Sequence, residues 1–334
     1  MVKRVVAAAL VLVVSLGIAL AVALSKRLEP LAEQAPEVLF VVERGDSLGR
    51  IAAGLEAARL VRDARAVSWL ARFRGLAGSL RAGEYRLSAT LSPGEILEQI
   101  AAGRVATWEV AIPEGFTAAM IAQRLEEAGL ADAEAFLAVA RDPDFAAELS
   151  LPADGLEGYL FPETYRLPRG QSPRAIARAM VEQFMRVWSE LATAAEARGL
   201  TMHPAVTLAS IVEKETGAPE ERPLIASVFS NRLARRMRLE SDPTVIYGIP
   251  DFDGNLRRRD LEDEGNPYNT YRIPALPPGP IASPGRAALA AVVEPAESDY
   301  LFFVSRNDGT HVFARSYAEH VRNVDHYQRR RRSR

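Results

Sequence analysis

The sequence predicts an α+β protein that follows one N-terminal apolar helix. Behind that helix, residues 38–60 show the pattern of a strand, a turn and a helix. The second half of the chain is dominated by long helical segments, the clearest running from about Pro173 to Arg198. We therefore expect a small helix-and-strand unit, and then a helical body joined to a short antiparallel sheet.

Composition limits the classes of protein that fit. The chain has 334 residues and a globular balance of hydrophobic and charged side chains, so two or three domains are expected and extended disorder is not. A net charge of −2 lacks the basic excess that nucleic-acid binding needs. Cysteine is absent, which excludes disulfides and thiolate metal sites. The four histidines show no paired ligand spacing, so neither metal nor cofactor is expected.

The N-terminal apolar run covers residues 5–24 and contains only Ser15 and Gly17 as mild exceptions. Twenty such residues cross about 30 Å of hydrocarbon as a helix, which predicts a membrane span. Lys3 and Arg4 precede the run and favour a cytoplasmic N-terminus, with the body of the chain outside the membrane. A cleaved signal peptide is the competing interpretation. We favour an uncleaved anchor because the run is longer than the usual apolar core of a signal peptide.

A unit of strand, glycine turn and capped helix occurs twice in the sequence. The first copy runs from Val38 to Leu60, with its turn at Gly45 and Ser47 as the predicted N-cap. The second copy runs from Ala111 to about Leu130 and has the same spacing. Between the copies, residues 81–87 resemble a strand and residues 92–102 a helix that begins with Ser-Pro-Gly-Glu.

The first copy resembles the opening of a LysM module, in Val41-Val42-Glu43-Arg44-Gly45-Asp46-Ser47-Leu48 followed by Ile51-Ala52. LysM is a small domain that binds the N-acetylglucosamine backbone of peptidoglycan or chitin. The alternative is purely structural, since any strand–turn–helix unit favours a glycine and an N-cap at these places.

The run Leu208 to Gly217 predicts a helix that carries an acid on its buried face. Leu208, Ile211, Val212 and Glu215 fall at i, i+3, i+4 and i+7, so Glu215 continues the apolar stripe. Glu213 lies roughly 200° around the helix and points elsewhere.

Two physical effects are expected to raise the pKa of Glu215. Burial disfavours the carboxylate, and so does the negative end of the helix, which we expect Gly217 to stop in a left-handed conformation. Lys214 acts against both effects, although its position around the helix limits its approach. A glutamate that stays protonated at neutral pH can act as a general acid. The alternative is a solvated helix end with ordinary acids.

From about Leu156 the chain becomes rich in aromatic, proline and carboxamide residues, which suggests the walls of a cleft. Sugar sites use aromatic faces against the ring, with amides and carboxylates for its hydroxyl groups. The aromatic candidates are Tyr159, Phe161, Tyr165, Tyr247, Tyr268 and Tyr271, each of which has a packing role as its alternative. The candidates for substrate binding are Glu163, Asn231, Asp242, Thr244, Tyr247, Asn269 and Tyr271. Asp242-Pro243 is also an ordinary turn starter.

Five blocks occur in the order found in one family. They are Ile211-Val212-Glu213-Lys214-Glu215-Thr216, Ser227-Val228-Phe229-Ser230-Asn231-Arg232-Leu233, Ser241-Asp242-Pro243-Thr244-Val245-Ile246-Tyr247-Gly248, Tyr268-Asn269-Thr270-Tyr271 and Leu276-Pro277-Pro278-Gly279-Pro280-Ile281. With the terminal blocks Tyr300–Val304 and His311–Phe313, they resemble the YceG-like family of endolytic murein transglycosylases over the whole chain.

The resemblance implies a bacterial inner-membrane enzyme that cuts nascent peptidoglycan between N-acetylmuramic acid and N-acetylglucosamine. The cut would leave a 1,6-anhydromuramic end and terminate glycan elongation. The essential glutamate of the family corresponds to Glu215, which is also the residue selected by helical spacing. The resemblance further suggests association with the peptidoglycan synthases known as penicillin-binding proteins.

The resemblance also divides the chain. It predicts a cytoplasmic N-terminus (1–4), a transmembrane helix (5–24), a linker (25–37), a LysM-like domain (38–105), a catalytic domain (106–328) and a basic tail (329–334).

The number of available carboxylates favours one mechanism. A hydrolase uses two carboxyl groups that face each other across the bond, whereas Glu213 and Glu215 diverge. One acid suffices if the muramic C6 hydroxyl attacks its own anomeric carbon. Two alternatives remain open: a membrane-tethered, non-catalytic peptidoglycan-binding scaffold, and a hydrolytic muramidase in which Glu163 partners Glu215.

Overall fold

The computed structural model describes residues 10, 14, 15, 22 and 25–329. The predicted membrane span at 5–24 and the predicted basic tail at 329–334 lie almost wholly outside this part. Among the described residues, none of the helices combines the length and the apolar character needed to cross a bilayer. The anchor therefore stays a prediction.

The described chain is an α+β fold, as the sequence predicts, in which helices greatly outnumber short strands. The first elements are β1 (Glu37–Val42), α1 (Leu48–Ala57), α2 (Ala64–Phe73), β2 (Gly83–Ser88), α3 (Pro93–Ala102), β3 (Trp108–Ala111), α4 (Ala118–Glu127), α5 (Ala133–Ala140), α6 (Pro143–Glu148) and β4 (Thr164–Leu167). The later ones are α7 (Pro173–Ala197), α8 (Met202–Glu215), α9 (Arg222–Ala234), α10 (Asp242–Tyr247), α11 (Arg258–Glu262), α12 (Arg286–Val293), β5 (Phe302–Ser305), β6 (His311–Ala314) and α13 (Tyr317–Val324).

The strands described form three two-stranded sheets, β1–β2, β3–β4 and β5–β6. The first is antiparallel, with Glu37 opposite Ser88 and Val42 opposite Gly83. The last is also antiparallel and pairs Phe302 with Ala314. The prediction of helices combined with short antiparallel sheets is confirmed.

The described chain separates into two compact units, one of residues up to 108 with 166–170 and one of 109–165 with 171–329. The first unit has its own core, formed by apolar side chains of β1, β2 and α1 to α3. Leu55, Leu87 and Ile100 are fully buried there. The LysM-like character and the domain boundaries predicted from sequence stay predictions.

The repeated unit is present in both places, with matching ends. Ser47 caps α1 by accepting from the N–H of Arg50, and Thr117 caps α4 by accepting from the N–H of Met120. In each copy the chain leaves the helix through the same bond, from a leucine N–H to a leucine carbonyl five residues earlier: Leu60 to Leu55, and Leu130 to Leu125. Both copies also have a left-handed glycine before the cap, Gly45 and Gly115.

The second unit is built around α8, which packs against α7, α9, α10 and α12. Every residue from Ala205 to Val212 is buried. The sequence predicted a single buried stripe, but the helix is enclosed on all sides over these two turns. Since neighbours surround it, the position of its last residue, Glu215, is fixed by the packing of several elements.

The helix stop at Gly217 was predicted wrongly. Helix α8 ends because Thr216 is extended (φ −83°, ψ 114°), and Gly217 is not left-handed. A Cβ atom at Gly217 would lie 2.6 Å from the carbonyl oxygen of Gly309 at the tip of the β5–β6 hairpin. Glycine is thus required by close backbone contact, which brings the hairpin against the end of α8.

We expect Gly217→Ala to lower the free energy of unfolding by about 1–3 kcal/mol, because backbone rather than a flexible side chain opposes the new methyl group. Thermal unfolding of the full-length chain measures this loss. The matched control is Gly49→Ala in α1, where a Cβ atom meets nothing within 4 Å. Alanine is the better helix former there, so the control is expected to be neutral or stabilising. Equal stability of Gly217→Ala and the wild type would contradict the contact.

Candidate active site

Glu215 is the last residue of α8 and is half-buried. The Ser241 hydroxyl donates a hydrogen bond of 2.6 Å to its Oε1 atom. Burial raises the pKa of Glu215. The Ser241 hydrogen bond opposes the rise, the negative charge of Asp242 adds to it, and the positive charge of His311 opposes it, so the pKa remains above its ordinary value. A carboxyl group in this setting keeps its proton at a higher pH than an exposed glutamate does.

Lys214 has a different role from the one expected. Its ammonium group donates to the carbonyl oxygen of Gly115 at 3.3 Å, in the turn of the second repeat copy. The charges that act on Glu215 are those of Asp242 and His311. The sequence suggested Lys214 because it is adjacent along the chain, but neighbouring residues on a helix do not face each other.

Ser241 is held by a buried group of hydroxyl side chains. Its N–H donates to Thr270 Oγ1 at 3.0 Å, and its carbonyl accepts from Thr244 Oγ1 at 2.7 Å. The two threonine hydroxyls are 2.8 Å apart, and both residues are fully buried. Thr244, predicted to bind substrate, therefore supports the residue that contacts Glu215.

Asp242 and Tyr271 complete this side of the site. The Tyr271 hydroxyl donates to Asp242 Oδ1 at 2.7 Å, while Asp242 itself is exposed. Burial raises the pKa of Tyr271, and the charges of Asp242 and Glu215 raise it further. Tyr271 is consequently a neutral hydrogen-bond donor. The structure thus brings together Glu215, Asp242 and Tyr271, three of the residues selected from sequence, with Ser241 between them.

His311 enters the site from β6. The Glu221 carboxylate accepts its backbone N–H at 3.0 Å and lies 2.7 Å from its Nδ1 atom. These two contacts fix the ring beside the end of α8, where its charge acts on Glu215. The sequence analysis used His311 only as part of a terminal block. Its pairing with Glu221 joins residues 90 positions apart, for which the sequence offers no local signal.

Two predicted carboxamides stabilise loops. The Asn231 amide donates to the carbonyls of Ser298 and Tyr300 at 2.8 and 3.0 Å. Asn269 is fully buried. Its amide nitrogen donates to the carbonyls of Asp260, Leu261 and Asp263.

The last two predicted residues lie elsewhere. Glu163 is exposed, and its Oε1 atom accepts from the N–H of the adjacent Thr164. Tyr247 lies at the far end of α10 from Asp242 and donates to Glu157 at 3.2 Å. Glu157 was not selected from sequence, although it belongs to the block interpreted as a cleft wall.

Glu213 differs from Glu215 in its surroundings, as helical spacing predicts. Its side chain is only 6% exposed and pairs with Arg222 at 2.9 Å. Its other oxygen accepts from the N–H of Gly285 at 2.9 Å. Both oxygens are therefore engaged in holding α9 and the start of α12 against α8, which leaves Glu215 as the acid available for chemistry.

Comparison with known proteins identifies the family of the chain. The family model described as the YceG-like family matches residues 40–326. The chain belongs to the YceG-like family. An endolytic murein transglycosylase of Bacillus subtilis (strain 168) is 28% identical over 317 residues, covering 90% of this chain and 88% of that protein.

Two further relatives of this YceG-like chain extend the comparison. The endolytic murein transglycosylase of Streptococcus pneumoniae serotype 2 is 31% identical over 85% of this chain. The chain spans 57% of the length of that relative. A crystal structure of a yceG-like protein from Listeria monocytogenes is 30% identical, with a TM-score of 0.59 over 86% of this chain and 98% of that one.

Glutamine substitutions at Glu213 and Glu215 are expected to affect stability in opposite ways. Glu213→Gln removes the nearer of the two carboxylates that pair with Arg222, the other being Glu114 at 3.3 Å, so the free energy of unfolding is expected to fall by about 1–3 kcal/mol. Glu215 has a raised pKa, so its contribution is fully present below the ordinary pKa of glutamate and is lost as the pH rises through the folded-state value. Glu215→Gln is therefore at least as stable as the wild type at pH 8.

Thermal unfolding of the full-length chain and both variants at pH 5 and pH 8 measures these differences. The gap between Glu215→Gln and the wild type is expected to widen toward pH 8 in favour of the variant. A variant that loses stability relative to the wild type as the pH rises would contradict the raised pKa.

Proposed function

We propose that this chain is an endolytic peptidoglycan lytic transglycosylase. It cleaves the bond between N-acetylmuramic acid and N-acetylglucosamine and leaves a 1,6-anhydro end. The observation that carries the proposal is a half-buried glutamate with a raised pKa, hydrogen-bonded to Ser241 beside Asp242 and Tyr271. The relatives named endolytic murein transglycosylase support the same reaction.

The chemistry needs one acid that acts twice. Protonated Glu215 donates its proton to the glycosidic oxygen as the bond to the anomeric carbon breaks. The C6 hydroxyl of the same muramic residue then attacks that carbon, and the Glu215 carboxylate takes up its proton. One C–O bond is exchanged for another without the consumption of water, and Glu215 returns to its starting form.

The developing positive charge on the sugar needs stabilisation, for which Asp242 is suitably placed. Its carboxylate acts electrostatically on Glu215 and is exposed toward solvent, the side from which a glycan would approach. The Tyr271 hydroxyl donates to this carboxylate at 2.7 Å and fixes its position. Ser241 has a separate task, because its bond orients the Glu215 carboxyl group.

A hydrolytic muramidase is the second candidate, and the proximity of Asp242 to Glu215 is the observation that favours it. Two carboxyl groups on either side of a glycosidic bond are the usual equipment of a hydrolase. Glu163, the partner considered from sequence, contacts its own neighbour Thr164. The products distinguish the two reactions, because hydrolysis gives reducing ends and the transglycosylase reaction gives anhydro ends that are one water lighter.

The proposed setting is the outer face of the bacterial inner membrane. The apolar run at residues 5–24, with its preceding basic residues, supports a single anchor and a cytoplasmic N-terminus. An enzyme held there meets glycan strands as they are made, so we also propose that it terminates their elongation. Partnership with peptidoglycan synthases would follow from the same location.

Glu215→Gln is expected to reduce formation of anhydro-ended fragments by at least about 100-fold, because general acid–base catalysis contributes 10²–10⁴ in rate. Mass spectrometry of glycan strands incubated with the full-length protein measures the fragments. Glu163→Gln serves as the matched control and is expected to retain activity. Undiminished cleavage by Glu215→Gln would reject the assignment, and inactivity of the wild type would favour the scaffold.

Ser241→Ala is expected to shift the pH dependence of cleavage. The Ser241 hydrogen bond lowers the pKa of Glu215, so its removal raises that pKa further. The protonated form then persists to higher pH, and the alkaline limb of kcat/KM moves upward. Cleavage rates measured from pH 5 to pH 9 test this shift. An alkaline limb that stays in place or moves downward would show that Ser241 does not control the acid.

A further inference from the structure

A second half-buried carboxyl group lies in a cavity of the second unit, and the mechanism does not use it. The cavity has a volume of about 990 Å³, and Glu157 is one of its lining residues, whereas Glu215 is not. Both oxygens of Glu157 accept from the N–H of Ala118 at the start of α4, at 3.1 and 3.2 Å. Burial nevertheless raises the pKa of Glu157 to about 7. Removing this carboxyl group from solvent therefore has a desolvation cost in free energy.

Aromatic side chains form one wall of the same cavity. The rings of Tyr247 and Tyr268 are 4.7 Å apart at 62°, and the Tyr247 hydroxyl donates to Glu157. A carboxyl group beside angled aromatic rings is the combination that sugar-binding sites use, with ring faces for the apolar side of the sugar and hydrogen bonds for its polar groups.

Another part of the lining is held in a fixed position by His203. Its Nε2 atom is 2.9 Å from the Pro278 carbonyl, an acceptor, so this nitrogen carries the hydrogen. The Nδ1 atom is hydrogen-bonded to the Tyr159 hydroxyl at 2.8 Å. Since both ring nitrogens are hydrogen-bonded within the protein, the histidine supports the Pro278-Gly279-Pro280 wall. The cavity is thus preformed.

Helix α10 connects this cavity to the Glu215 site. Asp242, at its first position, acts on Glu215, and Tyr247, at its last, is bonded to Glu157. The five residue steps from Asp242 to Tyr247 correspond to about 7.5 Å along the helix axis, comparable to the length of one pyranose unit. A glycan strand cut at Glu215 therefore reaches the cavity within about one sugar.

The charges at the cavity decide which part of peptidoglycan fits. The described part of the lining contains three acids, Asp154, Glu157 and Asp251, and a single arginine, Arg141. A muramic residue brings carboxylate charge with it, on its lactyl group or on the stem peptide attached to that group, and such a lining disfavours this charge. N-acetylglucosamine is neutral, and its hydroxyl and acetamido groups can donate to Glu157.

We propose that this cavity is a subsite for a neutral N-acetylhexosamine, the N-acetylglucosamine next to the scission point, with Glu157 and Tyr268 as its recognition residues. The subsite rests on the proposed function, since the glycan is the substrate of Glu215. Its occupation fixes the register of the strand and places a muramic residue at the acid.

Binding of the neutral tetramer of N-acetylglucosamine tests the subsite without cleavage. In the Glu215→Gln background of the full-length protein, isothermal titration is expected to show at least tenfold weaker binding after Tyr268→Ala or Glu157→Gln. Tyr317→Ala is the matched aromatic control, because Tyr317 is 70% exposed on α13 and is not among the lining residues of the cavity. Glutamine still accepts from the Ala118 N–H, so Glu157→Gln preserves that contact.

Kinetics separates failure of the subsite from failure of the proposed function. With glycan strands and an intact Glu215, Glu157→Gln and Tyr268→Ala are expected to raise KM at least tenfold and to change kcat much less. Anhydro products with unchanged KM in both variants would overturn the subsite and leave the proposed function standing. A wild type that cleaves no glycan but binds the tetramer in a Glu157-dependent way would overturn the proposed function and leave the subsite standing. Binding of an isolated stem peptide in preference to the tetramer would also overturn the subsite.

Discussion

The arrangement depends on one costly interaction, the burial of the Glu215 carboxyl group at the end of a helix that is enclosed on all sides from Ala205 to Val212. A glutamate in water is deprotonated at neutral pH. The surrounding protein excludes solvent, which raises the pKa of the carboxyl group and favours its protonated form. The Ser241 hydroxyl fixes the direction of the carboxyl group. Each neighbour of α8 thus contributes to the chemistry through packing as well as through contact.

Two acids two residues apart have opposite tasks in this helix. Glu213 gives both oxygens to Arg222 and the Gly285 N–H, and so joins three helices. Glu215 makes a hydrogen bond to Ser241 and is otherwise available to a substrate. The two side chains point about 200° apart around the helix, so Glu213 forms structural contacts while Glu215 is placed for proton transfer. Lys214, between the two, is directed to the Gly115 carbonyl, which keeps its charge away from the acid.

The structural features that the sequence predicts are those that depend on the local spacing of residues. Helical periodicity identifies Glu215, and the Ser47 and Thr117 caps follow from the preference of hydroxyl side chains for free N–H groups at a helix start. Ser241, Glu157 and the Glu221–His311 pair depend on partners 26 to 90 residues away, which no window of sequence contains. The left-handed helix stop predicted at Gly217 is wrong for the same reason. In the sequence Gly217 resembles an ordinary helix stop, but its constraint is the distant carbonyl of Gly309.

The two strand–turn–helix copies share a backbone but are subject to unequal demands. In the first, the turn at Gly45 and the Ser47 cap serve a core that is complete within its own unit. In the second, the Gly115 carbonyl in the equivalent turn accepts a hydrogen bond from Lys214, and the N–H of Ala118 at the helix start donates to Glu157. Substitutions in the first copy therefore have to preserve the cap and the core of that unit. Substitutions in the second copy also have to preserve two polar contacts, the ones to Lys214 and to Glu157, so fewer sequences satisfy its requirements.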